Sequence, residues 1–195
     1  DFEILNTETI PYSKFWKDTL QKAITLSDDK LLDLDIEYGK LLGVRINNFI
    51  EKNHIEKLDF ISSHGHTIFH KPELGITLQI GNGKVLAEAT NKKVVCDFRS
   101  QDVQFGGQGA PLVPVGDALL FSKYEACMNL GGFANISFQE DNKRIAFDIC
   151  PVNIVLNKYV NSLGLDYDNK GKIASEGTIH IDLLKALNDL EFYKK

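Results

Sequence analysis

From Tyr12 to Asn53 the apolar positions recur every three or four residues: Phe15, Leu20, Ile24, then Leu31, Leu34, Leu41, Leu42, Val44, Ile46 and Phe49. That is the period of a helix with one buried face, so the spacing predicts helix through this stretch. Ser13 and Ser27 stand where N-caps belong, and Asp28 and Asp29 after the second suit the helix dipole. Ahead of the helix, residues 1–10 alternate weakly and predict a strand. Beyond it the texture shortens. Leu58–Ser62, Ile76–Ile80 and Lys93–Phe98 predict strands, the second ended by Gly81-Asn82-Gly83, with a short helix over Val85–Thr90. A glycine-rich loop, Phe105–Pro111, precedes a helix over Asp117–Phe121. Ala126–Leu130, Ala134–Phe138 and Arg144–Ile149 predict strands, the last two joined as a hairpin through Glu140-Asp141-Asn142-Lys143. Helices follow at Asn153–Leu163, ended by Gly164, and at Ile181–Tyr193. Strands, a hairpin and long helices in this order predict a mixed α/β fold of two lobes meeting near residues 103–112.

Composition narrows the class. A chain of 195 residues has room for one or two domains, and 43% hydrophobic with 25% charged residues excludes disorder. The net charge of -5 supplies no basic field, so neither nucleic acid nor a membrane surface is an expected partner. No apolar run approaches the roughly 20 residues of a membrane span, and Asp1–Asn6 lacks the basic start and apolar run of a leader, which predicts a cytoplasmic protein. Cys96, Cys127 and Cys150 are an odd set in apolar settings, expected to be buried free thiols.

Three stretches carry candidate chemistry. In Asn129–Asn135, two glycines follow a strand, where backbone can approach a ligand closely and amides can face an anion. Asp148 ends the returning strand and Pro151 opens a helix, so a carboxylate stands beside a phosphate-friendly loop. A tight turn followed by an aspartate helix cap is the alternative. In Ser62–Thr67, His64 and His66 point the same way if they lie on a strand, with His70 in the following turn. They can orient a polar ligand, serve structure alone, or hold zinc, although no third ligand stands at zinc spacing. Asp97, Arg99 and Asp102 gather at the end of an apolar strand, where open α/β sheets bind ligands; an internal salt bridge explains them equally. The glycine-rich loop lacks a Lys-Ser/Thr ending, so it is no Walker loop and can be a hinge.

Seven stretches together resemble one family. They are SHGHTIFHKP (63–72), TLQIGNG (77–83), DFRSQD (97–102), GGQGAPLVP (106–114), NLGGFANIS (129–137), FDICPVN (147–153) and YDNKGKIASEG (167–177). In order and spacing the series is similar to the anhydro-N-acetylmuramic acid kinases of bacterial cell-wall recycling. The resemblance implies an actin/hexokinase/Hsp70-like (ribonuclease H-like) ATPase fold, whose two lobes clamp a nucleotide. It implies ATP and Mg²⁺ as cofactors and a small-molecule amino sugar as partner, with a homodimer left open and no resident metal site. Water opens the 1,6-anhydro ring and O6 receives the γ-phosphate. By the family's motif Asp148 is the catalytic base. Gly131, Gly132 and Asn135 resemble a phosphate-binding element, while Asp97, Arg99, Asp102 and His66 resemble sugar-side positions.

Departures from the family pattern set further expectations. Cys150 and Val152 replace glycines around Pro151, residues that do not take positive φ cheaply, and Asn157 stands where an acid is common. Such kinases also begin with a glycine-rich phosphate loop and continue into an adenosine-binding segment. The chain is therefore expected to be the middle of one, with 1–105 part of the first lobe and 106–195 part of the second, and to be inactive alone. The rival expectations are a non-catalytic sugar-binding remnant and a zinc hydrolase built on His64 and His66.

Overall fold

A computed structural model describes residues 2–194 of the chain. It is a mixed α/β protein with small sheets, and it forms two compact units, Asp1–Lys123 and Tyr124–Lys195. The glycine-rich loop lies within the first unit. Compactness leaves the lobes 1–105 and 106–195 an expectation about the family's architecture.

In the first unit the helical stretch forms two helices that start after the two expected caps, α1 (Lys14–Lys22) and α2 (Asp28–Lys52), separated by a 3-10 turn at Ala23–Thr25. The Ser13 hydroxyl caps α1 by accepting from Trp16 N at 3.3 Å. Ser27 makes no such side-chain bond; only its carbonyl accepts, from Leu31 N. The break changes the phase of the apolar stripe. Leu20, Ala23, Leu31, Leu34 and Tyr38 enter the core with Ile80, whereas Phe15, Ile24 and Val44, which the spacing placed among the apolar positions, are exposed.

Residues 2–10 form no strand, because nothing pairs with them; Asp1 lies outside the described residues. The two parallel strands are shorter than their apolar runs suggest. β1 (Ile61–Ser62) pairs with β4 (Val94–Val95), and the ladder stops where Asp97 turns the chain in the left-handed region at φ 58°. Between them, β2 (His66–Lys71) pairs antiparallel with β3 (Ile76–Ile80). His70 is therefore a strand residue; the turn that follows is Pro72–Leu74, closed by Gly75 at φ 68°. The helix α3 (Gly83–Thr90) lies against α2 at two glycines one turn apart. A Cβ on Gly39 would sit 3.0 Å from Asn82 O, and one on Gly43 would sit 2.6 Å from the Ala89 Cβ. Two further helices, α4 (Phe98–Gln104) and α5 (Leu112–Leu120), flank the glycine-rich loop.

The second unit is a three-stranded antiparallel sheet with helices. β5 (Ala126–Leu130), β6 (Phe133–Glu140) and β7 (Lys143–Pro151) pair in that order. Asp141 and Asn142, at φ 45° and 62°, make the tight two-residue turn between β6 and β7. Positive φ at both positions matches the right-handed twist of the strands, and Asp and Asn tolerate it. The helix α6 (Asn153–Asn161) comes next. Asp168 then accepts from Ile173 N at 2.9 Å and Ala174 N at 3.0 Å, starting α7 (Lys172–Glu176). Those bonds, Ala174 first and Ile173 second, hold its carboxyl below the ordinary value. The last predicted helix is shorter than its apolar run. α8 covers Ile181–Asn188 and gives way to a 3-10 turn at Glu191–Lys194, since Asn188 and Asp189 are poor residues for a helix interior.

Candidate functional site

The parallel pairing of β1 with β4 brings two sequence-predicted stretches to one edge. Ser63 N donates to Val95 O at 2.9 Å, so Ser63-His64-Gly65 and Cys96-Asp97 leave the sheet side by side. Gly65, at φ 69°, passes so close to β3 that a Cβ would lie 2.4 Å from Ile80 O. A cavity of about 280 Å³ opens there, lined by Ser63, His64, Gly65, Gln79, Asn82, Asp97 and Ser100 among others. The ends of parallel strands are where open α/β sheets place their ligands.

Arg99 and His64 define the polarity of this edge. The guanidinium Nε donates to His64 Nε2 at 2.9 Å, and His64 Nδ1 lies 3.2 Å from Gly65 O. Guanidinium is donor only, so Nε2 accepts and the proton sits on Nδ1, facing the carbonyl. Arg99 thus meets an imidazole, where the sequence allowed a salt bridge to Asp97 or Asp102. Asp97 lines the cavity. Asp102 accepts from Gly109 N at 2.7 Å and organises the glycine-rich loop, while its carbonyl takes Gly107 N. The His66 ring packs by Tyr38, its centroid 6.0 Å from that of the tyrosine. Burial, and secondly the charge of His64, lower the His66 pKa from its ordinary 6.5. No group of three His, Cys, Asp or Glu fit for a metal ion occurs among the described residues.

Two contributors escaped sequence reasoning. Asp35 on α2 accepts from Gly81 N and from Asn82 Nδ2, each at 2.8 Å, and so pins the Gly81-Asn82-Gly83 turn to the helix. An acid one residue past Leu34, on the edge of the buried stripe, was its only signal. Gln79 on β3 lines the cavity beside Thr77, and nothing in the alternation of the strand distinguishes it from a surface residue.

In the second unit, Asn129, Asn135 and Asp148 form one rung across β5, β6 and β7. Directly paired residues of a sheet share a face, so the two amides and the carboxylate stand in a row. The ladder shifts beside them. Ala134 pairs with Cys150 and Asn135 with Asp148, which leaves Ile149 as the extra residue of a bulge in β7. Asp148 therefore lies within the strand and is no helix cap; Val152 takes that place. Pro151 closes β7 opposite Phe133, and α6 begins at Asn153, against the expectation that Pro151 opens the helix.

Gly131 and Gly132 make the turn between β5 and β6, and their carbonyls receive the start of α6. Val152 N and Ile154 N donate to Gly132 O at 2.8 and 3.2 Å, and Asn153 N donates to Gly131 O at 3.2 Å. Gly131 N itself donates to Phe133 O at 3.2 Å. Neither glycine has positive φ, and a Cβ on Gly132 would meet nothing nearer than Ile154 Cβ at 4.0 Å. Val152 adopts φ -127° and ψ -95°, and neither it nor Cys150 has positive φ, so this turn forms without the glycines expected there. All three cysteines are free thiols; Cys96 is exposed and the others half-buried, a correction to the expectation of burial. No helix among the described residues is long and apolar enough to cross a membrane.

Comparison with known proteins names the class. The family model for anhydro-N-acetylmuramic acid kinase matches residues 1–195. Curated kinases of that name are similar: the Zymomonas mobilis protein is 44% identical over 158 residues, 77% of this chain and 43% of the relative. The Acinetobacter baylyi protein is 38% identical over 202 residues, covering 97% of this chain and 54% of its own. The Bacillus cereus protein is 32% identical over 210 residues, 98% of this chain and 55% of its own. The chain belongs to the anhydro-N-acetylmuramic acid kinase family, a family of sugar kinases. It spans about half the length of the curated relatives it matches.

Proposed function

We propose that the complete gene product phosphorylates 1,6-anhydro-N-acetylmuramic acid in the cytoplasm with ATP and Mg²⁺, opening the anhydro ring with water, on a two-lobed ATPase-like fold. The observation that carries the reading is the rung of Asn129, Asn135 and Asp148 beside the Gly131-Gly132 turn. The bulge at Ile149 re-aims the strand next to Asp148, a device common at active sites. Asp148 is an exposed carboxylate within a rigid strand, fit to take a proton from water attacking the anomeric carbon. The C1–O6 bond breaks, the water oxygen stays on C1, and O6 accepts the γ-phosphoryl group.

The turn fits a nucleotide phosphate for a reason of shape. Nothing in the fold demands glycine at Gly132: φ is negative or extended and a Cβ would find space. A glycine that the fold does not require supports close approach of a ligand to the backbone. Mg²⁺ would arrive with the phosphates, since such ions are held by one or two carboxylates and substrate oxygens. ATP supplies the phosphoryl group; Asn135 and Asp148 orient the oxygens that meet it. In the first unit, Asp97 and His64 line a cavity suited to polar hydroxyls, and Arg99 fixes the His64 tautomer.

The test is a product assay on the complete gene product, with ATP, Mg²⁺, the anhydro sugar and ¹⁸O-water. A 6-phosphorylated N-acetylmuramic acid carrying the label at C1 is expected. Phosphorylated sugar with its anhydro ring intact, or ATP left unconsumed, would overturn the reading.

A further inference from the structure

Three successive carbonyls at the end of β5 are taken by the first turn of α6. Asn153 Nδ2 donates to Leu130 O at 3.1 Å, Asn153 N to Gly131 O at 3.2 Å, and Val152 N and Ile154 N both to Gly132 O. A carbonyl can only accept, so the NH₂ end of the Asn153 carboxamide is the end that faces Leu130. Asparagine at a helix start is ordinarily spent on capping. Here Val152 holds the cap position and Asn153 is already the first helical residue, its side chain reaching back to the strand.

In a trans peptide the C=O and the following N–H point opposite ways. With the carbonyls of Leu130, Gly131 and Gly132 turned to α6, the amides of Gly131, Gly132 and Phe133 are turned from it. Gly131 N closes the turn on Phe133 O, while Gly132 is exposed and its N–H has no backbone acceptor among the described residues. A Gly-Gly pair does not hold such planes by itself, because glycine takes either sign of φ with like ease. The α6 backbone holds two of the three peptides. The Leu130–Gly131 peptide is held on its carbonyl side by the Asn153 side chain.

We infer that Asn153 is a positioning residue, whose side chain fixes the Leu130–Gly131 peptide and with it the shape of the turn that the nucleotide phosphate meets. The inference rests on the kinase reading and deepens it. Asn153 acts through the turn and needs no contact with substrate. A pliable turn has to be ordered when the nucleotide binds, and that ordering subtracts from affinity. A turn ordered beforehand binds without this penalty.

The experiment is calorimetric titration of the complete gene product with ADP and, separately, with the anhydro sugar. Asn153→Leu, which keeps the shape and removes the donor, should weaken ADP binding by about threefold to tenfold, what one lost hydrogen bond converts to. Sugar affinity should hold, which also certifies that the variant is folded. In turnover the KM for ATP should rise by the same factor while kcat at saturating ATP is kept. Unchanged ADP affinity overturns the inference. So does an equal loss for ADP and sugar, which would make the residue structural. A second measurement needs no variant. In the unmodified protein without nucleotide, amide hydrogen exchange at Gly131 should already be slowed by its bond to Phe133 O. Exchange there at the rate of an open loop overturns the inference even if Asn153→Leu does not fold. If the unmodified protein binds the sugar but no nucleotide, the kinase reading itself fails and the inference with it.

Discussion

Asn135 and Asp148 face each other across β6 and β7, and the next rung skips a residue, pairing Ala134 with Cys150. The bulge at Ile149 therefore separates the carboxylate from Pro151 and the start of α6 by an irregular step. Asp148 has no structural duty at the helix terminus, where the glycine carbonyls already receive Val152, Asn153 and Ile154. A carboxylate held in a strand and excused from capping is available for chemistry.

Asp148→Asn in the complete gene product should lower kcat toward the upper end of the roughly 10²–10⁴-fold range for a lost general base. Asparagine keeps the size and one acceptor but takes no proton at neutral pH. Sugar affinity by titration should stay within about threefold, because one rung of a sheet with similar hydrogen bonding is unaltered. A variant with unchanged kcat would move the base elsewhere.

Gly132→Ala separates the needs of the fold from the needs of a ligand. The added Cβ meets only Ile154 Cβ, at 4.0 Å, and φ is not positive, so the melting temperature should hold or rise slightly. The KM for ATP should rise by about tenfold or more if phosphate lies against this backbone, as loss of one good contact implies. A lowered melting temperature with an unchanged KM would make the glycine structural.

The seven motif stretches, and with them the family, were legible because each carries rigid local chemistry. The strand limits of β3 and β5 were also legible, since glycines end both runs. Other features depend on pairing that no local pattern encodes. The apolar run Lys93–Phe98 becomes a strand only at Val94–Val95, because β1 offers two partners and Asp97 then turns left-handed. The partner of Arg99 is His64, 35 residues away in sequence, brought near by parallel strands whose register cannot be read from either alone. The occupied carbonyls at Gly131 and Gly132 were hidden likewise, since they depend on where α6 begins. Asp35 was missed because its partners, Gly81 and Asn82, lie 46 and 47 residues away.

Gly43→Ala should destabilise the protein although alanine is the better helix former. The helix gain is about 0.5–1 kcal/mol, but the new Cβ would lie 2.6 Å from the Ala89 Cβ, and overpacking of this kind costs about 1–3 kcal/mol. A net loss of about 1–2 kcal/mol in urea unfolding is expected. Adding Ala89→Gly removes the clash and should restore most of it, a coupling of about 1–3 kcal/mol that additive singles would contradict.

The stability of the first unit should fall as the medium is acidified through the histidine range, and His66 should account for part of the slope. Its folded pKa lies below the ordinary 6.5, first because burial disfavours the imidazolium and second because His64 adds like charge. A depressed value means that the unfolded chain binds the proton more tightly. The contribution is therefore fully present above about pH 6.5 and is lost as the pH falls from there through the folded value. The lowered carboxyl of Asp168 titrates further toward acid, below the ordinary 3.8, and does not enter this window. Urea midpoints measured between about pH 7.5 and pH 5 should decline, and His66→Gln, which cannot be protonated, should flatten the decline. An undiminished slope in that variant would show that His66 does not carry the pH dependence.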